Sequence, residues 1–217
     1  MYDHIILLFF TISVKSFFPC RSCIFTGLLR FAPRSLRAAA VCDMMAAANK
    51  GGDRLNRKSI YLAGGCFWGT QKFFDQFDGV LETEVGYANG PTENPGYRQV
   101  CASSGHAETV RIVYDADRLS LTQLLDWYFL TIDPTSYHRQ GGDKGVQYRT
   151  GIYYTDPADL PELEARYAAE QAKYREKLEV ELLPLENFYP AEEYHQKYLD
   201  KNPGGYCHIP KDLLHMA

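Results

Sequence analysis

Apolar positions change their spacing several times along this chain, and each change marks an element. Ile60 to Ala63 is a short unbroken apolar run that stops at Gly64-Gly65, and Phe73, Phe74 and Phe77 recur at helical spacing after Gly69; the pattern predicts a strand, a glycine turn and a helix. Leu81 to Val85 is strand-like, and Gly86-Tyr87-Ala88-Asn89-Gly90-Pro91 opens a long loop that runs through Arg98. Glu108 to Tyr114 predicts a strand, ended by Asp115-Ala116-Asp117. Leu121, Leu124, Leu125 and Tyr128 give Leu119 to Leu130 a helical period, with Ser120 as its cap. A second long loop, Asp133 to Gln147, leads into a strand from Tyr148 to Thr155. Pro157 opens an amphipathic helix to about Leu178, Val180 to Leu185 returns as a strand, and Phe188 to Leu199 predicts a short aromatic helix. No internal repeat is present. Strands paired with separate helices in this order predict a two-layer α+β domain.

Residues 1–57 differ from the rest and are assigned to a leader or linker, leaving 58–217 as the working domain. The apolar run Ile5 to Val14 has about ten residues, half of the roughly 20 that a membrane-spanning helix needs. Tyr2, Asp3 and His4 lack the positive charge of an export signal, whereas Lys15, Arg21, Arg30, Arg34 and Arg37 lean towards an organelle transit peptide. Met44-Met45, just before a polar linker, offers an alternative start. The expected location is the cytoplasm, or a mitochondrion, another organelle or the exterior if the leader is genuine.

Composition narrows the function classes. The net charge of −4 is carried by scattered charges without a basic stripe, which excludes a dedicated nucleic-acid binder. Six cysteines stand at positions 20, 23, 42, 66, 101 and 207. Three fall in the leader and the others are far apart, so a reducing compartment fits better than a disulfide framework. Cys20 and Cys23 have metal-site spacing, but no second pair completes a site, and no metal is expected.

The chemistry concentrates at Cys66. It follows the glycine turn where the first free N–H groups of the helix point, and that positive end favours thiolate over thiol. Phe67 and Trp68 offer an apolar wall for something small. Glu108 begins a strand, and Asp143 and Tyr148 flank the end of the second loop. A buried glutamate has its pKa raised by desolvation and can donate a proton near neutral pH, while tyrosine hydroxyls fix the oxygen that receives it. Cys207, between Gly204-Gly205-Tyr206 and His208-Ile209-Pro210 in a flexible tail, has the setting of a resolving cysteine. Two other classes use some of these residues: a cysteine acyl hydrolase with His195 or His106 as base, and a peptide-binding module with an aromatic groove.

Six ordered motifs, Gly65-Cys66-Phe67-Trp68-Gly69, Gly105-His106-Ala107-Glu108, Arg139-Gln140-Gly141, Gln147-Tyr148-Arg149, Tyr194-His195-Gln196-Lys197-Tyr198-Leu199 and Asn202-Pro203-Gly204-Gly205-Tyr206-Cys207, resemble the A-type peptide methionine sulfoxide reductases from about Ile60 to Pro210. The resemblance implies a compact α/β roll with a ferredoxin-like core and a long coiled C-terminal segment. It implies a repair enzyme that reduces methionine S-sulfoxide in oxidised proteins, working as a monomer without a cofactor. By that likeness Cys66 is the nucleophile, Phe67 and Trp68 hold the substrate methyl group, and Glu108 protonates the sulfoxide oxygen with Tyr97 and Tyr148 orienting it. Asp143 and His195 hold the substrate. Cys207 condenses with the sulfenic acid left on Cys66, and thioredoxin reduces the disulfide. Unlike some relatives, this chain has no second recycling cysteine in its tail and no room for a B-type domain. Cys101 is expected to be a packed thiol, with resolution by Cys101 as the alternative.

Overall fold

The computed structural model describes residues 55–216; the Ile5 to Val14 run, Cys20, Cys23, Cys42 and Met44-Met45 lie outside them. In chain order the strands are β1 (Arg57–Gly64), β2 (Val80–Ala88), β3 (Ala107–Asp115), the short pair β4 (Arg139–Gln140) and β5 (Asp143–Lys144), β6 (Thr150–Tyr154), β7 (Glu181–Pro184) and β8 (Phe188–Pro190). The helices are α1 (Phe67–Phe74), α2 (Tyr97–Cys101), α3 (Leu121–Thr131), α4 (Leu160–Gln171) and α5 (Tyr198–Lys201). None of the described helices is long and apolar enough to cross a membrane.

Six strands form one sheet in the order β7-β6-β1-β3-β2-β8, antiparallel except for β6 with β7. Its centre is built from two strand-helix-strand crossovers, β1-α1-β2 and β3-α3-β6. Each places its two strands on either side of a third, which is the arrangement of a ferredoxin-like core. The period of two along the strands sorts the side chains. Ile60 and Leu62 of β1, Val85 and Tyr87 of β2, and Val110, Ile112 and Tyr114 of β3 are all buried in one core. Phe73, Phe74 and Phe77 cover that core from α1 and its end, and Phe77 stacks on Trp127 of α3 at 3.7 Å and 11°. Burying side chains of this size stabilises by about 1.5–3 kcal/mol each.

Several sequence expectations change. The helix begins at Phe67, so Phe67, Trp68 and Gly69 form its first turn rather than preceding it. Strand β2 runs on through Ala88, because β3 continues opposite it as far as Ala107, and the long loop is correspondingly shorter. The helix predicted to Leu178 stops at Gln171. Leu178 and Val180 are buried, so the chain must turn back to the sheet, and the Gln171 side chain ties that turn by bonding the carbonyl of Glu176 and the N–H of Leu178. The predicted aromatic helix Phe188 to Leu199 is a strand followed by coil, helical only in α5. The open edge of β2 pairs with Phe188–Pro190, and the Gln196 amide then extends the pairing by bonding both the N–H and the carbonyl of Val85.

Candidate active site

Cys66 is the N-cap of α1, with extended backbone (φ −63°, ψ 121°), and it is 6% exposed. The turn before it needs glycine: Gly65 has φ +79°, and a Cβ there would come within 2.6 Å of the Gln140 Cβ. Beneath the turn stands Glu108. Register pairs it with Tyr87, and the strand period puts it on the same face as Val110 and Ile112, at the end of the core. It is 2% exposed, and its Oε2 accepts the Phe67 N–H at 3.1 Å. Burial pushes its pKa up to about 8, against the pull of that hydrogen bond.

The pull of the helix end towards the Cys66 thiolate, expected from sequence, is outweighed by burial. Burial, and then the Glu108 charge, push the thiol well above its ordinary value, while the Trp68 N–H pulls the other way. An eight-residue helix cannot offset removal from water. Once Glu108 is protonated, its share of the opposition disappears.

Asp143, Tyr148 and Tyr97 converge on the same pair. Asp143, on β5, raises both Cys66 and Glu108; its own carboxyl is pushed up by burial and held down by the Tyr206 hydroxyl. Tyr148 lies in a short 3-10 turn before β6, not in the strand predicted for it, and its hydroxyl is raised by burial and then by Glu108 and Cys66. Tyr97, at the start of α2, is raised by burial, then by the neighbouring Cys101 thiol, with Glu108 and Cys66 behind. Cys101 itself is exposed, not the packed thiol expected from sequence.

The aromatic wall is assembled from far along the chain. Trp68 stacks on Tyr198 at 3.8 Å and 14°, and its Nε1–H donates to Nδ1 of His195 at 3.1 Å. His195 is 1% exposed and lies against Phe67, Tyr97 and Tyr194. It therefore stands behind the wall, and as an acceptor at Nδ1 it is the neutral tautomer protonated at Nε2. Phe67 is 1% exposed, packed between Tyr87 and His195, and Trp68 keeps an open face. Glu192 fastens the floor, accepting the Tyr87 hydroxyl at 2.8 Å and the Tyr97 N–H at 2.9 Å.

Cys207 is half-buried, and burial pushes its thiol up. Its Sγ rests over Gly69, where a Cβ would come within 2.7 Å; this is why a glycine sits inside the first turn of α1. The tail predicted to be flexible is pinned on both sides, by Ile209 in the core and by Tyr206 on Asp143. Cys207 also borders a groove of about 670 Å³ shared with Leu199, Ile209, Leu214, Lys72 and Lys211.

Sequence reasoning singled out Cys66, Phe67, Trp68, Tyr97, Glu108, Asp143, Tyr148 and Cys207, which cluster. It assigned no task to Glu192, whose partners are 95 and 105 residues away, nor to Tyr198, whose one signal is its place three residues after His195. The hydrolase alternative loses its bases: His106 is fully buried between Ser104 and the Thr92 carbonyl, and His195 is engaged by Trp68. Among the described residues no cluster of His, Cys, Asp and Glu could hold a metal ion.

A family model described as peptide methionine sulfoxide reductase matches residues 58–215. The peptide methionine sulfoxide reductase MsrA of Clostridium acetobutylicum is 58% identical over 158 residues, covering 72% of this chain and 98% of that protein. The corresponding protein of Lachnoclostridium phytofermentans is 57% identical over 153 residues, 70% of this chain and 92% of its own. Among solved structures, Mxr1 of Saccharomyces cerevisiae in reduced form superposes with a TM-score of 0.68 at 39% identity, covering 71% of this chain and 92% of that one. Methionine sulfoxide reductase A of Corynebacterium diphtheriae superposes with a TM-score of 0.64 at 36% identity, covering 73% and 85%. The chain belongs to the peptide methionine sulfoxide reductase family, enzymes that return methionine S-sulfoxide to methionine.

Proposed function

We propose that Cys66 attacks the sulfoxide sulfur while Glu108 gives its proton to the sulfoxide oxygen and takes up the proton of the Cys66 thiol in exchange. The observation that carries this reading is one buried carboxylic acid, with a pKa of about 8, bonded to the first N–H of the helix that Cys66 caps. At neutral pH that acid is mostly protonated, so it can supply a proton where the developing oxyanion needs one. Tyr97 and Tyr148 orient the oxygen; burial keeps both hydroxyls protonated as donors. Trp68, with Phe67 beneath it, receives the methyl group. Asp143 holds the substrate beyond the sulfoxide, and His195 acts by fixing Trp68 rather than by touching the substrate.

The S–O bond of the substrate then breaks, methionine leaves, and the oxygen ends on Cys66 as a sulfenic acid, which Cys207 converts to a Cys66–Cys207 disulfide with loss of water. A dithiol protein of the thioredoxin type reduces that bond. The half-buried Cys207 is the sulfur it reaches, and the groove beside Cys207 gives it a surface. The wide spacing of Cys66, Cys101 and Cys207 along the chain suits work in a reducing compartment such as the cytoplasm.

The test is stoichiometric. Cys207→Ser, given excess sulfoxide peptide and thioredoxin, is expected to form one methionine per enzyme and stop. Continued turnover at the wild-type rate would remove Cys207 from the mechanism, and absence of the first methionine would remove the reading of Cys66 and Glu108 with it.

A further inference from the structure

His208 follows Cys207 directly, and its imidazole lies over the glycine turn that precedes Cys66. A Cβ added to Gly65 would stand 3.3 Å from His208 Cε1, and one added to Gly141 would stand 3.1 Å from the His208 Cβ. Both ring nitrogens are buried, and neither makes a hydrogen bond of good geometry with the protein, although the Gly64 backbone faces the ring. Burying two polar ring atoms there carries a cost that a leucine or phenylalanine filling the same place would avoid. The ring is thus next in sequence to one reacting cysteine and seated on the residue that precedes the other.

The resolving step needs what such a ring can do. Cys207 is kept protonated by its burial, and a thiol is a poor nucleophile beside its thiolate. The hydroxyl leaving the sulfenic acid must in turn be protonated to depart as water.

We propose that His208 is the proton carrier of the resolving step. One ring nitrogen takes the proton of Cys207 as its sulfur attacks the Cys66 sulfur. The S–S bond forms, the S–O bond breaks with its electron pair going to oxygen, and the imidazolium returns the proton to that oxygen, which leaves as water. The Cys207 sulfur is oxidised by as much as the Cys66 sulfur is reduced, so no other reactant is required. The proposal rests on the reading that Cys207 resolves a sulfenic acid on Cys66.

Burial lowers the His208 pKa, with the Gly64 backbone opposing, so the ring is a neutral base at pH 7. Tyr206 and Cys207 stand on its own segment, and Cys66 follows the glycine over which the ring lies. The carboxyl groups of Glu108 and Asp143 act on Cys66.

The experiment is rapid-quench kinetics on the full chain with one equivalent of a methionine sulfoxide peptide and no external reductant, following methionine and the loss of thiols separately. In His208→Ala the methionine burst keeps its amplitude and disulfide formation slows about 100-fold, in the range of a lost general acid–base. Added imidazole restores the rate in proportion to its concentration. His208→Phe, which keeps the bulk of the ring, is slowed to the same extent. A wild-type rate of disulfide formation in either variant overturns the proposal, as does a slow His208→Ala that imidazole leaves unchanged, since the ring would then be packing alone. A wild-type enzyme that forms methionine without losing Cys207 fails at the resolving cysteine itself, and one that forms no methionine fails at the first step. Both results are distinct from failure of the histidine.

Discussion

Replacing Glu108 by glutamine is the most informative single change. The Gln side chain can still accept the Phe67 N–H but has no proton to give, so methionine formation is expected to fall by about 10²- to 10⁴-fold, the usual contribution of general acid catalysis. With a pKa of about 8, roughly nine-tenths of the wild-type acid is protonated at pH 7 and about one-tenth at pH 9. The first step should therefore lose an alkaline limb of about tenfold, centred near pH 8, in Glu108→Gln. Stability carries an independent signature. The folded pKa is raised above the ordinary value of 4.5, so the folded state binds the proton more tightly, and its advantage is full below about pH 4.5 and is lost as pH rises to about 8. Linkage puts the loss between pH 5 and 9 at about 4 kcal/mol. Glutamine does not titrate, so Glu108→Gln should gain on the wild type by that order across the same window, measured by urea denaturation at each pH. A variant that stays within threefold of the wild-type rate refutes the acid role, and a stability difference independent of pH refutes the burial argument behind it.

Gly69→Ala puts a Cβ where the Cys207 sulfur rests, at 2.7 Å; the methionine burst should persist while disulfide formation, read by thiol loss, slows by about tenfold or more. His195→Ala leaves the Trp68 N–H without its acceptor, and an unpaired buried donor costs about 1–3 kcal/mol. The expected result is a KM raised by about tenfold with a smaller fall in kcat, from steady-state kinetics with the thioredoxin system. Cys101→Ser removes an exposed thiol and should leave both the burst and the subsequent loss of two thiols intact; peptide mapping would find the disulfide between Cys66 and Cys207.

The local part of the fold was legible because neighbouring residues decide it. The run Ile60 to Ala63, the glycine pair and the phenylalanine period give β1, the turn and α1, and Ser120 caps α3 as its sequence position requires, its Oγ accepting the Gln123 N–H. Tertiary pairing overruled propensity where an edge or a core site was open, as when β2 claimed Phe188–Pro190 as a strand and the buried Leu178 pulled the chain out of α4. The site was legible by its rare residues in context: a cysteine at a glycine turn, a glutamate at the start of an apolar strand. What sequence could not supply is the supporting layer. Glu192, Tyr198 and His195 act through contacts that span a hundred residues, and the thiol's environment reversed the expectation from the helix end because burial outweighs a short dipole. The purpose of Gly69 became visible only with Cys207 lying on it.

The central claim, that Cys66 reduces one sulfoxide epimer by direct attack, is tested most directly by offering the two separated epimers of a methionine sulfoxide peptide to the wild type and to Cys66→Ser with dithiothreitol as reductant. The account predicts that the wild type consumes the S epimer alone and that Cys66→Ser consumes neither. Reduction of the R epimer at a comparable rate, or any substantial activity in Cys66→Ser, would contradict it.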